Sequence, residues 1–105
     1  MVTYDFQLTY TITSYSQCEN EKAKKARRVI KEIDGWEAVD KIETTVVGEI
    51  SFVCYGDNDD KRKKCEDLIT EIIKDKFKEE YVYSDTQSYF SLMVDGLGKH
   101  ITFYI

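Results

Sequence analysis

From Val2 to Thr13 the chain alternates without a break, with Val2, Tyr4, Phe6, Leu8, Tyr10 and Ile12 on one side and Thr3, Asp5, Gln7, Thr9, Thr11 and Thr13 on the other. Successive side chains on a strand point to opposite faces, so this pattern specifies a strand with one apolar and one polar face. Such a strand is not stable alone, and its apolar face has to be covered by helices or by a second sheet. At 105 residues the chain has room for one core of this kind, in a single domain spanning 1–105. A domain of this size buries roughly two thirds of the surface its unfolded form exposes, enough to fold without metal or disulfides. No apolar stretch approaches the roughly 20 residues that a bilayer crossing needs. The first residues lack the basic start and unbroken apolar run of a secretory leader, so a cytoplasmic location is expected. Cys18, Cys54 and Cys65 form no C-x-x-C pair and are odd in number, which points to reduced thiols.

Beyond the first strand, Ser16-Gln17-Cys18-Glu19 has the spacing of a helix capping box, and Asn20 is a second candidate cap. Ala23, Ala26, Ile30 and Ile33, with Val29 beside them, form a narrow apolar helical stripe that Asp34-Gly35 can stop. Trp36 to Tyr55 is rich in β-branched residues and interrupted by Gly48-Glu49. Glycine at the first central position suits a type II′ turn, so Lys41–Val47 and Ile50–Tyr55 read as a hairpin. One long strand with a bulge at Gly48 is the other reading. Gly56-Asp57-Asn58-Asp59-Asp60 then opens a helix whose stripe is Cys65, Leu68, Ile69, Ile72, Ile73 and Phe77. Tyr81–Tyr83, Tyr89–Val94 and Ile101–Ile105 are strand-like, the last two joined through Asp95-Gly96-Leu97-Gly98. The resulting order, βαββαβ with an extra C-terminal strand or hairpin, is the α+β ferredoxin-like arrangement, an antiparallel sheet with both helices on one face. The uncovered face must then be polar, pair with a second subunit or hold a ligand.

Several signals bear on chemistry. Between Lys22 and Lys31 the chain holds Lys22, Lys24, Lys25, Arg27, Arg28 and Lys31 and no acid. Lys24, Arg27, Arg28 and Lys31 are therefore candidate phosphate contacts, with Lys61–Lys64 as a second basic run. Solvated helix faces explain both runs more simply, and a net charge of -5 sets the long-range field against a polyanion. Phe52-Val53-Cys54-Tyr55 resembles the tail of the RNP1 motif, F-V-x-[FY], of RNA-recognition modules. That resemblance implies that Phe52 and Tyr55 stack on bases. Gly48 and Glu49 depart from the motif's earlier half.

Val29-Ile30-Lys31-Glu32-Ile33, Gly35-Trp36, Ile42-Glu43-Thr44-Thr45 and Gly48-Glu49-Ile50 resemble the helix-to-second-strand region of Cas2-like proteins, over about a fifth of the chain. The resemblance implies a ferredoxin-like fold, dimers made by joining sheets and, in some members, a metal-dependent nuclease whose Asp closes the first strand. Tyr4-Asp5-Phe6 supplies such a pair, which makes Asp5 the catalytic candidate of that reading. Asp5 sits in mid-strand, however, and a nuclease needs paired carboxylates to hold its cation. No second ligand is evident. His100 is the sole histidine, Cys54 and Cys65 belong to apolar patterns, and Asp57-Asn58-Asp59-Asp60 lacks the central Gly and terminal Glu of a calcium loop. No metal site, cofactor or catalytic set is expected.

A small acidic domain with eight tyrosines and no catalytic set suits a non-enzymatic binder that regulates or inhibits a macromolecular partner, in the manner of immunity proteins, antitoxins and phage-encoded inhibitors. Its expected contact surface is Trp36, Glu37, Asp40, Glu43 and Glu49, with Glu79, Glu80 and Tyr81. The other classes are an RNA- or DNA-binding module or Cas2-like nuclease, and a structural homodimer paired through the C-terminal strands Tyr89–Val94 and Ile101–Ile105; homodimerisation is also expected alongside the binder role.

Overall fold

Strand β1 spans Val2–Ser14, with Phe6, Leu8, Tyr10 and Ile12 buried and the intervening Asp5, Gln7, Thr9 and Thr11 exposed. The structure, a computed structural model, describes residues 1–15 and 20–105. The Ser16–Glu19 capping box and Cys18 lie outside the described residues. Helix α1 spans Asn20–Lys31. It is followed by β2 (Glu37–Val39), β3 (Ile42–Phe52), α2 (Asn58–Glu79), β4 (Thr86–Val94) and β5 (Ile101–Tyr104). The strands form one antiparallel sheet in the order β2-β3-β1-β4-β5, with β1 at its centre. No helix among the described residues is long and apolar enough to cross a membrane.

Both helices bury most of their stripes in one core, although Ile33 lies past the end of α1 and is half-buried, and Ile72 of α2 is exposed. Ala23, Ala26, Val29 and Ile30 of α1, and Cys65, Ile69, Ile73 and Phe77 of α2, join Leu8, Tyr10, Val46, Phe90 and Leu92 of the sheet. Each fully buried Leu, Ile or Phe here contributes about 1.5–3 kcal/mol of apolar burial. Phe90 lies between Tyr10 and Phe103, at ring-centroid distances of 6.1 and 5.1 Å. Two arginines fasten the layers. Arg27 donates from Nη1 to the Ile12 carbonyl oxygen at 2.9 Å, tying α1 to β1. Arg62, in the first turns of α2, donates to the carbonyls of Leu97 and Lys99 and, at 3.5 Å, to that of His100, and so pins the β4–β5 turn to the helix.

Three local expectations are corrected. Gly48 is not a turn: Ile42–Phe52 is one strand, paired to β1 in unbroken register through Gly48↔Phe6, with no bulge at that position. A Cβ at Gly48 would stand 2.9 Å from Phe6 Cζ and 3.2 Å from Trp36 Cδ1, so the glycine makes room for two rings that cross the strand. The hairpin instead joins β2 to β3 through Asp40-Lys41, where Lys41 takes φ 66, and the irregularity lies in β2 between Ala38 and Val39. Finally, Tyr81–Tyr83 is not a strand. It closes the C-terminus of α2: the Val82 N–H reaches back to the Phe77 carbonyl at 3.0 Å while Tyr81 takes φ 61, the left-handed geometry that glycine usually supplies at a helix end. The start of α2 is as the sequence suggests, with Asp57 and Asp60 forming a reciprocal capping box.

Candidate functional site

The side of the sheet away from the helices carries a one-sided charge. None of the five strands contains Lys, Arg or His, whereas Asp5, Glu37, Glu43 and Glu49 are exposed strand residues. The cations lie on the helices and connections. In α1, Lys22, Lys24, Lys25, Arg27, Arg28 and Lys31 stand against the single acid Glu21, while α2 has equal numbers of acids and bases. Hydroxyls fill much of the remaining open face: Thr3 bonds Ser51 at 2.7 Å and Thr9 bonds Thr45 at 3.2 Å.

Sheet register concentrates the acids. Antiparallel pairing sets Glu49 opposite Asp5. On the other side the Asp95 N–H donates to the Asp5 carbonyl oxygen at 2.9 Å, extending the β1–β4 register one residue past Val94. Glu49, Asp5 and Asp95 thus form one row across β3, β1 and the end of β4. Glu37 stands nearby, opposite Val47. These four carboxylates, with Gln7 and Met93, line an open cleft of about 670 Å³. Among the described residues none of the four has an ion-pair partner. Like charges facing one another across a ladder cost roughly 0.2–1 kcal/mol per pair, so the row works against stability unless something positive meets it. Among the described residues no three His, Cys, Asp or Glu side chains gather closely enough to hold a metal ion.

The expected contact residues fall into separate places. Glu37 and Glu49 belong to the acidic cleft, together with Asp5. Asp40 and Glu43 are exposed at the β2–β3 turn. Trp36 is only 8% exposed and packs edge-on against Phe6 at 5.2 Å, so its ring serves the core. Glu79, Glu80 and Tyr81 form a different patch at the C-terminus of α2. There Glu80 pairs with Lys25 at 3.8 Å and Lys76 at 3.7 Å, and Tyr81 is 78% exposed. Asp95 was missed, because its place beside Asp5 follows only from the β1–β4 register.

The nucleic-acid candidates are dispersed or committed. Arg27 is tied to Ile12, Lys24 pairs with Glu21 at 3.5 Å, and Lys22 and Lys25 lean on Asp85 and Glu80. In the second run Lys63 pairs with Glu66 and Asp67, both at 3.1 Å. Arg28 is exposed and Lys31 half-buried. Phe52 points into the core, stacked on Tyr4 at 5.2 Å, while Tyr55 is 97% exposed beyond the strand end. The two aromatics of the RNP1-like stretch therefore do not share a platform. Burial, reinforced by the neighbouring Cys54, pushes the Cys65 thiol up to about 11, which leaves it protonated and unreactive near neutral pH.

Comparison with protein-family models, curated proteins and solved structures yields no match. The fold itself defines the class: a mixed α+β protein with a five-stranded antiparallel sheet and two helices.

Proposed function

We propose that this chain is a non-enzymatic binder of ferredoxin-like fold that regulates or inhibits a macromolecular partner, its open sheet face covering a basic protein surface. The strand order supports the fold reading: taken from β4 to β2 it is β4-β1-β3-β2, the order of the split βαβ arrangement, with β5 added outside β4. The observation that carries the function is the unneutralised row Glu49–Asp5–Asp95 on a face whose strands hold no cation. Complementary charge raises encounter rates and selects partners. Thr and Ser hydroxyls around the row provide further acceptors and donors for a polar rim. A cytoplasmic setting fits the reduced thiols, and homodimerisation is compatible because it uses a different part of the sheet.

The test is a titration of the ¹⁵N-labelled chain with a deca-arginine peptide at low salt. Shifts should centre on Asp5–Thr9, Val47–Ser51 and Met93–Asp95, and the triple substitution Asp5→Asn, Glu49→Gln, Asp95→Asn should weaken binding at least about tenfold. Binding that maps to the carboxylates of α2 and survives the triple substitution would refute the proposal. Salt-sensitive, sub-micromolar binding of single-stranded RNA, abolished by Arg27→Ala with Arg28→Ala, would give the chain to the nucleic-acid class instead.

A further inference from the structure

The two rims of the sheet differ in kind. Natural sheets blunt an exposed rim with short strands, bulges, proline or charge. The β2 rim has such devices: it is three residues long, irregular between Ala38 and Val39, begins with Glu37 and is followed by Asp40 and Lys41. The β5 rim is also short, at four residues, but lacks the irregularity and the charged side chains. Ile101-Thr102-Phe103-Tyr104-Ile105 contains no charged side chain and no proline, and its pairing to β4 is regular.

The phase of that pairing fixes which backbone groups face outward. Ser88 and Ile105 exchange both hydrogen bonds, N–H to carbonyl at 3.0 Å each way. In an antiparallel ladder such pairs alternate with non-bonded ones, so Phe103 opposite Phe90 and Ile101 opposite Leu92 also turn their backbone groups toward β4. Thr102 and Tyr104 therefore direct their N–H and C=O groups away from the sheet.

We infer that the β5 rim pairs with the β5 rim of a second copy of this chain, antiparallel about a two-fold axis at Phe103. The outward-facing residues lie two apart, which is the spacing self-pairing requires. Thr102 of one copy meets Tyr104 of the other, the symmetric pair repeats the contact, and four backbone hydrogen bonds close with no outward group of either residue left over. The absence of charged side chains along the rim permits this occupant. Each copy carries a net charge of -5, and β5 with its flank to Ile105 is a rim through which two such bodies approach without setting carboxylates against one another. The joined ten-stranded sheet would also cover the half-buried Ile101, Phe103 and Ile105, which already pack against the core. On the open face it would extend the exposed pair Tyr89 and Tyr104, whose rings are 4.6 Å apart, by the Thr102 of the partner. The acidic cleft lies across β3, β1 and the end of β4 and takes no part.

Sedimentation equilibrium of the intact chain at tens of micromolar should give a dimer. Thr102→Pro removes one outward donor from each copy, hence two of the four bonds, while leaving every β4–β5 bond in place. It should shift the protein to monomer with its circular dichroism unchanged. Register is tested by disulfide trapping. Phe103 and its symmetry mate form a non-bonded pair with Cα atoms about 4.5 Å apart, within disulfide reach. Phe103→Cys should then cross-link under oxidised glutathione, with the 103–103 peptide recovered by mass spectrometry, whereas Ile101→Cys should not link to itself. A strict monomer in the unsubstituted chain, or a dimer that ignores Thr102→Pro, would overturn the proposal and leave the rim to an extended segment of another protein. The triple acid substitution proposed above should leave the dimer intact, so the two readings fail separately.

Discussion

Gly48→Ala is the perturbation whose sign is most informative. In an unobstructed strand interior, replacing glycine by alanine lowers the entropy of the unfolded chain and gains about 0.5–1 kcal/mol. Here the new methyl would sit 2.9 and 3.0 Å from Phe6 Cζ and Cε1 and 3.2 Å from Trp36 Cδ1. Carbon atoms prefer roughly 3.5–4.0 Å, so two packed rings have to retreat by about half an ångström. Overpacking of this kind costs about 1–3 kcal/mol. The expected net effect is a loss of about 0.5–2 kcal/mol, a fall in Tm of about 2–9 °C for a domain this size. Urea unfolding followed by the emission of Trp36, the single tryptophan, measures the change where it arises. Phe6→Leu shortens the ring that clashes, so the double variant should recover about 1 kcal/mol relative to the sum of the single ones. Stabilisation by Gly48→Ala, or strict additivity with Phe6→Leu, would refute the claim that the glycine is there to let the Phe6 and Trp36 rings approach the strand.

Two further outcomes follow from single residues. Tyr81→Gly should raise stability by about 1 kcal/mol in thermal unfolding, because Tyr81 holds φ 61 where a Cβ is penalised; a loss of stability would mean that its exposed ring makes a contact worth more than the strain. Burial pushes the Tyr10 phenol from its ordinary value of 10 up to about 12, against the opposing pull of Arg27. The folded state thus resists an ionisation that the unfolded chain undergoes readily, and the stability this confers, fully present below pH 10, is lost as the pH rises from 10 to about 12. The difference in unfolding midpoint between the native chain and Tyr10→Phe should narrow or invert across that window, and a constant difference would contradict it.

Where structure depended on near neighbours, the sequence was readable. The alternation of Val2–Thr13, the Asp57–Asp60 cap and the stripe from Cys65 to Phe77 each encode their element within a few residues. Gly48 misled because glycine in a β-rich stretch suggests a turn, whereas its actual partners, Phe6 and Trp36, are distant in the chain or on another strand. The true hairpin at Asp40-Lys41 and the helix stop at Tyr81 both place an ordinary side chain at positive φ, and no local residue advertises that. Arg27 and Arg62 looked available for phosphates, yet both are spent on carbonyl oxygens of neighbouring elements. Of the acidic cleft, Glu37 and Glu49 were named as contacts and Asp5 for another role, while Asp95 required the register that sets it beside Asp5.

The place of β1 also has a consequence for how the molecule assembles. The strand formed from the earliest residues is the middle of the sheet, and its two neighbours come from residues 42–52 and 86–94. Its two edges therefore stay unpaired until both of these later segments are in place. Such long-range closure is slow compared with helical folds, taking milliseconds or more. The centre of the sheet is complete only when β4 has docked on β1.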